Sequence, residues 1–570
     1  MKREKNYFDN MNGPENFSLL QPGGIKGSSN QASLFLEFDP AAAHDLRLDE
    51  LITAFAPERE YRKEIQPVFQ RLPRDPQVIS YRQAVLDDLL THPALAEMLT
   101  SLLPVINSLF VSAHRSKGEM SWLHEVVRRA EELQNIIECF EGMGHILDMV
   151  EGELRSEGLR SLQQEIARAR KDPVYQNLVR ELPVMLARLQ SSASITIGVN
   201  LDGRLRPVQA TLLSVNEKPF TDQSLLSRLF GVRKGLEGIA PLHSVPQQAF
   251  GLDGPVDPLM VPLFADLAKV LEKTAIPIAD QLEQYASVHG NLFTDLRQAL
   301  IFYLGAIRFI RRLEKQGLPV CRPQIVGAEE RRCEVRDSYN VHLALRQPGT
   351  DNGTRSDIVL NDILLGPEGH ILILTGPNGG GKTTYMQGAG MVHILAQLGC
   401  HVPGREATVS PLDQLFTHFP LEEKPESGTG RFGEEAIRLG KIFEQVTRHS
   451  LVLLNESLSS TNFSESLYLA QDIVRIMRRV GARAIFSTHL HDLANSVDDL
   501  NRSVPGDSLI ISVVSSPIDA AGQVNDSKAQ PRYRLEMRPP LGQSYAREIA
   551  ARYGISYQQI EDVLSKRGVL

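Results

Sequence analysis

The sequence predicts a multidomain protein in which a mainly α-helical region precedes an α/β domain, and three observations predict it. The chain has 570 residues, too many for one hydrophobic core at roughly 150 residues per domain. From about residue 46 to 189, apolar residues recur at spacings of three and four with charges between them, the period of helices with one buried face. From residue 357 onward, short apolar runs alternate with helix-compatible segments, as in a domain built on a largely parallel sheet.

The elements follow in order. Residues 1–45 open with a polar stretch that has no apolar run of the signal-peptide kind, and a disordered or extended segment is expected. Residues 46–325 are expected to form a mainly helical region. Within it the period changes to two around residues 194–215, where Ile195, Ile197, Val199 and Leu201 alternate with small or polar residues before Asp202-Gly203, which predicts a β-hairpin. Residues 217–257 hold several prolines and glycines and read as irregular, and helices return from 258 to about 315. Residues 326–570 form the α/β domain, with residues 517–531 as an exposed loop.

Composition excludes some classes. The chain is 42% hydrophobic and 23% charged, ordinary for a globular protein. No run approaches the ~18 apolar residues of a membrane span, so no membrane partner and a cytoplasmic location are expected. Cys139, Cys321, Cys333 and Cys400 form no CxxC pair, which argues against structural zinc and for a reduced compartment. A net charge of −8 speaks against a wholly basic nucleic-acid coat and leaves room for a local basic surface.

The apolar run Ile371-Leu372-Ile373-Leu374 leads into Gly376, Pro377, Asn378, Gly379, Gly380, Gly381, Lys382, Thr383 and Thr384, and a helix-compatible segment follows. This is G-x-x-x-x-G-K-[ST] between a strand and a helix, the context a phosphate-binding loop requires. The glycines let backbone N–H groups turn inward around an anion, and the helix N-terminus adds its positive end. Lys382 is placed to reach the β- and γ-phosphates of ATP, and the Thr383 hydroxyl to ligate Mg²⁺. A flexible glycine-rich turn is the bland alternative.

A second buried run, Leu451-Val452-Leu453-Leu454, ends in Asn455-Glu456. In P-loop enzymes an acidic residue here holds the Mg²⁺ shell and a following Glu positions the attacking water. Glu456 is thus the candidate for orienting or deprotonating water. Asn455 stands where an aspartate is usual; its carbonyl accepts without charge, so weaker Mg²⁺ hold and slow turnover are expected. A third run, Ala484-Ile485-Phe486-Ser487, ends in Thr488-His489, and His489 on the ligand-binding edge of such a sheet is placed to contact the γ-phosphate.

Together these elements resemble the ATPase domain of the MutS family of DNA mismatch-repair proteins, an ABC-type P-loop ATPase. Gly376–Thr383 is similar to that family's G-P-N-M-G-G-K-S. Asn361-Asp362 resembles its P-N-D segment, whose Asn lies against the adenine. Residues 453–461 are similar to its Asp-Glu strand and following G-R-G-T loop, and residues 487–493 to its A-T-H-x-x-E-L. Residues 542–554 resemble its C-terminal dimerisation helices, and Leu72-Pro73-Arg74-Asp75-Pro76 with the following helices is similar to its core and levers. The resemblance implies ATP and Mg²⁺ as cofactors and a homodimer in which each subunit completes its partner's site. Ser459, Ser460 and Thr461 would act across the interface. The family's Ser-Thr-Phe segment is here Gly430-Arg431-Phe432, so that either Ser427 and Thr429 substitute for it, or Arg431 acts as an arginine finger, or Arg431 is a solvated side chain. No counterpart of the mismatch-reading domain with its Phe-x-Glu wedge is found, nor of the Smr domain, so a short divergent MutS-like protein is expected.

Basic clusters at Arg155, Arg160, Arg168, Arg170 and Lys171, and at Arg308, Arg311, Arg312 and Lys315, suit contact with the phosphates of double-stranded, mismatched or branched DNA without reading sequence. Interleaved acidic residues leave solvated helix faces as the other reading. The leading expectation is an ATP-dependent DNA-binding clamp in mismatch repair or recombination control. The alternative is a cytosolic ABC-type ATPase acting on protein partners without DNA. A transport ATPase is disfavoured, because the signature L-S-G-G-Q is absent.

Overall fold

The computed structural model describes residues 17–23, 34–114, 122–150, 152–190, 194–204, 207–216, 290–347, 358–377, 379–420, 430–518, 532–539 and 556–567. Expectations for Asn378, Ser427 and Thr429, for the irregular stretch 217–257 and the helices at 258–289, for most of the 517–531 loop, and for the 542–554 dimerisation segment fall outside them. The chain divides into two compact units, Met1–Glu15, Glu97–Glu153 and Ser161–Arg297 in one, Asn16–Ala96, Leu154–Arg160 and Gln298–Leu570 in the other.

In the first unit the helical periodicity becomes the helices Trp122–Met149 and Pro173–Gln190. They meet through Phe140, whose ring lies edge-on to Tyr175 at 5.3 Å and to Phe293 at 4.9 Å. The expected hairpin is present as Ser194–Leu201 paired antiparallel with Pro207–Asn216. Bulges between Thr196 and Ile197 and between Asn200 and Leu201 break its register.

The second unit is built on a six-stranded sheet. Its order is Leu415–His418, Leu451–Asn455, Arg483–Ser487, Ile371–Thr375, Ile510–Ile518, Arg532–Met537; the first five strands run parallel and the last antiparallel. The three runs read from the sequence as buried strands are buried along their whole length, as strands covered on both faces must be. One face packs Ile371, Ile373, Val452, Leu454, Ala484 and Phe486 against Ala470, Val474 and Met477 of the Phe463–Val480 helix. The other face receives the Lys382–Gln397 helix, whose Gly390 lies over Leu453. A four-stranded sheet, Gln324–Ile325, Glu406–Val409, Cys333–Ser338 and Asn361–Leu365, completes the β-structure around the site.

The unit division differs from the expected boundaries. Helices Leu48–Phe55, Arg59–Gln70 and Pro76–Thr91 belong to the sheet-bearing unit. Phe55 stacks among Phe69, Phe302 and Phe309 at 5.1 to 6.0 Å. The described part of residues 1–45 is ordered into the same unit. Tyr81, Tyr303 and Arg82 donate to the carbonyls of Ser18, Leu19 and Leu20. Phe35–Glu37 pairs with Arg71–Pro73, and the buried Asp45 accepts from Thr417 at 2.7 Å. Helical periodicity tells which face of a helix is buried and not which sheet it covers. All four cysteines are free thiols.

Candidate functional site

The carboxyl ends of three neighbouring parallel strands bring the motifs to one edge, where ligands bind in sheets of this kind. The Ile371–Thr375 strand ends in a loop in which Gly376, Gly379 and Gly381 have φ of 143°, 74° and 79°, values open to glycine at no steric cost. Ser515 walls this loop: its buried hydroxyl donates to the Gly380 carbonyl at 2.5 Å, and a Cβ on Gly376 would lie 2.7 Å from its own Cβ. The Lys382–Gln397 helix starts at the loop's end with Gly381 as its cap, and its N-terminal N–H groups and dipole favour an anion there.

Lys382 is 5% exposed and its Nζ donates to the carbonyls of Gly376 and Pro377, each at 3.0 Å. Burial holds its pKa below the ordinary lysine value, with the Glu456 carboxylate opposing that shift. A cation held on loop carbonyls, short of a full counter-ion, is ready to exchange them for phosphate oxygens. Thr383 Oγ1 donates to Asn455 Oδ1 at 3.2 Å. Two neutral oxygens so close suit a hard divalent cation that takes its remaining ligands from phosphate and water, as Mg²⁺ does.

Glu456 follows the Leu451–Asn455 strand in the left-handed region, φ 49°, and its N–H donates to the Ser487 carbonyl at 2.9 Å. Its Oε1 pairs with His489 Nε2 at 3.1 Å, both side chains being partly exposed. The hydrogen bond from His489 chiefly holds the Glu456 pKa below the usual carboxylate value. A carboxylate kept ionised beside an imidazole is equipped to orient a water and accept its proton. Lys382, Thr383, Asn455, Glu456 and His489 are thus brought together as the motifs predict.

Asn361 lines a cleft of about 520 Å³ beside the loop, shared with Tyr339, Asn340, Leu343, Gly379, Gly381 and Thr384. Its Oδ1 is occupied by the Leu535 N–H at 2.8 Å, so in this structure it braces the cleft wall. The cleft is of the size that small-molecule sites have.

Residues expected to act across an interface are found on this chain's own surface. Arg431, exposed at the start of the Gly430–Gln445 helix, has Nε 3.9 Å from Glu435 Oε1. Ser460 donates to the other Glu435 oxygen at 2.8 Å, Thr461 donates to Glu465 at 2.6 Å, and Ser459 is exposed.

Sequence reasoning missed Glu435, Ser515 and the pair formed by His418 and Ser457. His418 Nδ1 lies 2.7 Å from Ser457 Oγ, which also donates to the His418 carbonyl at 3.3 Å. Burial pushes the His418 pKa down to about 4. No local signal marked these residues, because each is identified by a contact across the sheet edge. Three of the basic positions expected to meet DNA face this chain's own carboxylates: Arg168 pairs with Glu165 at 2.6 Å, Arg170 with Glu141 and Asp148 at 2.8 and 3.2 Å, and Arg308 with Glu58 at 3.8 Å. Arg155 and Arg160 are exposed. Among the described residues no single helix is long and apolar enough to cross a membrane.

A family model described as MutS domain V matches residues 372–538, and one described as the MutS2 N-terminal domain matches residues 74–316. The DNA mismatch repair protein MutS of Shouchella clausii is 31% identical over 241 residues, 40% of this chain and 27% of the relative. That of Geobacillus thermodenitrificans is 28% identical over 242 residues, covering 41% and 26%. The DNA mismatch repair protein Msh6 of Homo sapiens is 31% identical over 195 residues, covering 33% and 14%. The chain therefore spans about a quarter or less of the length of these relatives.

Proposed function

The chain belongs to the MutS family, and on that premise we propose that it is a Mg²⁺-dependent ATPase whose nucleotide state governs a dimeric clamp on DNA. The observation that carries the reading is the meeting of Lys382, Thr383, Asn455, Glu456 and His489 on one sheet edge, at the mouth of a glycine loop. Lys382 and the loop N–H groups would take the β- and γ-phosphates, and the cleft beside Asn361 the base and sugar. Bound Mg²⁺ would neutralise phosphate charge; Thr383 and Asn455 are the donors that fit it. Glu456, ionised and oriented by His489, would hold the attacking water in line.

Each loop covers the nucleotide from one side, so the opposite side calls for donors from a second copy. Arg431, Ser459, Ser460 and Thr461, with Ser427 and Thr429, are the candidates. A γ-phosphate shared in this way links nucleotide affinity to dimer affinity by one coupling free energy, typically ~1–3 kcal/mol.

Lys382→Ala tests the site. Loss of the buried cation is expected to abolish ATP binding in a protein that still unfolds cooperatively, measured by calorimetric titration; unchanged affinity would remove the phosphate site. A second reading, an ATPase acting on protein partners alone, draws on the pairing of Arg168 and Arg170 with their own carboxylates. Binding of branched and plain duplex DNA across a salt series separates the two: affinity that falls steeply with salt supports the clamp, and no binding at low salt supports the alternative.

A further inference from the structure

We propose that the Ser487 hydroxyl is a further oxygen donor of the divalent-cation site, beside Thr383 and Asn455. The inference rests on the nucleotide-site reading and adds a residue to it. Ser487 ends the Arg483–Ser487 strand and is 0% exposed. Its carbonyl is taken by the Glu456 N–H, whereas its Oγ is buried with no hydrogen-bond partner among the described residues. An unpaired buried hydroxyl disfavours the folded state, and each one in a native protein calls for a reason.

The sheet fixes which way Ser487 points. Paired residues of neighbouring strands project to the same face and successive residues alternate. Ser487 is paired with Asn455 on one side and with Leu374 on the other. Asn455 reaches Thr383 of the Lys382–Gln397 helix, and Leu453, two residues earlier, lies against Gly390 of that helix. Ser487 therefore lies beneath the helix's first turn, one strand spacing (~4.8 Å) from Asn455. The buried Thr375 hydroxyl also has no partner. Alternation puts it on the opposite face, with Ile371 and Ile373, which pack into the hydrophobic core.

The chemistry gives Ser487 its use. The strand end carries a neutral Asn455, whose bonds are about half as strong as those of a carboxylate. Among the described residues no group of three or more His, Cys, Asp or Glu is placed to hold a metal. A divalent cation here depends on phosphate, water and neutral oxygens, and a second neutral oxygen one strand away supplements the first.

Ser487→Ala, made in the full chain, tests this by ADP binding titrated against MgCl₂ and by thermal unfolding in EDTA. In EDTA the variant is expected to bind ADP as the wild type does and to melt at the same temperature or higher, since an unpaired hydroxyl has been removed. The Mg²⁺ concentration at half-maximal tightening of ADP is expected to rise about 3–10-fold, the effect of one lost hydrogen bond. An unchanged Mg²⁺ half-point overturns the assignment. So does a clear fall in the EDTA melting temperature, which gives the hydroxyl a structural role. A wild type that binds no ADP with or without Mg²⁺ overturns the nucleotide site itself, a separate result.

Discussion

Gly376→Ala and Gly379→Ala, compared in one experiment, show how far the loop's geometry is set by its surroundings. Both glycines have positive φ, 143° and 74°. At Gly379 a Cβ would meet nothing within 4 Å, so alanine there costs about 1 kcal/mol for left-handed backbone alone. At Gly376 the Cβ would lie 2.7 Å from Ser515 Cβ and 3.0 Å from the Ser515 carbonyl. Ser515 is fully buried and bonded to the Gly380 carbonyl, so it yields only by breaking that bond. Backbone strain of ~1–3 kcal/mol then adds to an overpacking penalty of ~1–3 kcal/mol, and about 3 kcal/mol is expected. Over a unit of roughly 360 residues, at ~2.1 cal/mol/K of unfolding entropy per residue, that corresponds to a melting temperature lower by about 4 °C, against about 1 °C for Gly379→Ala. ATP binding should disappear in the first variant and weaken in the second. Equal melting temperatures for the two variants would refute the claim that Ser515 shapes the loop.

Four further outcomes are expected. Glu456→Gln should retain ATP while hydrolysis slows by on the order of 10²-fold; a wild-type rate in a phosphate-release assay excludes it as the base. The same variant in sedimentation with and without ATP-Mg²⁺ should show a dimer tightened by nucleotide, and a monomer in both conditions would sink the shared site. Burial lowers the pKa of His370 to about 4 and of His393 to about 3. Their unfolded values lie near 6.5, so the stability of the neutral form is complete above about pH 6.5 and is lost as pH falls toward 4. The melting temperature should drop between pH 7 and 5, and His393→Leu should flatten that drop; an unaltered slope would clear His393 of the effect. Finally, Leu458→Ala should destabilise more than Leu458→Gly in denaturant titrations, because alanine loses the burial and keeps the strained φ of 67°.

What the sequence made legible is local. The loop from Gly376 to Thr384 and the strand ends at Asn455 and Ser487 announce themselves through apolar runs bounded by glycine or polar residues, and each run became a buried strand. Topology then brought Lys382, Thr383, Asn455, Glu456 and His489 together at no extra cost in information, because neighbouring parallel strands end side by side. Long-range packing was not legible. Asp45 meets Thr417 across 372 positions, and Gln83 donates to the Pro323 carbonyl across 240; nothing local in the sequence marks such partners. The hydroxyl donors of Ser457 and Ser515 were silent for a similar reason. A serine within or just beyond a strand reads as an ordinary polar residue until its neighbours are known.

The bend that presents Glu456 shows how burial outweighs strain here. Glu456 and Leu458 are both left-handed, φ 49° and 67°, at about 1–2 kcal/mol each against glycine. Leu458 is 3% exposed and packs in the core beneath the sheet; burying its side chain contributes ~2 kcal/mol, enough to offset its own strain. Glu456, partly exposed, has no such compensation. Its backbone is held from both sides instead: by the Ser487 carbonyl on its N–H, and by Ser466 donating to the Leu458 carbonyl at 2.7 Å. Between them Ser457, 4% exposed, is clamped by the 1% exposed His418 at 2.7 Å. A partly exposed carboxylate thus stands on a strained backbone that buried neighbours keep from relaxing, the condition under which the base proposed at Glu456 would keep its geometry.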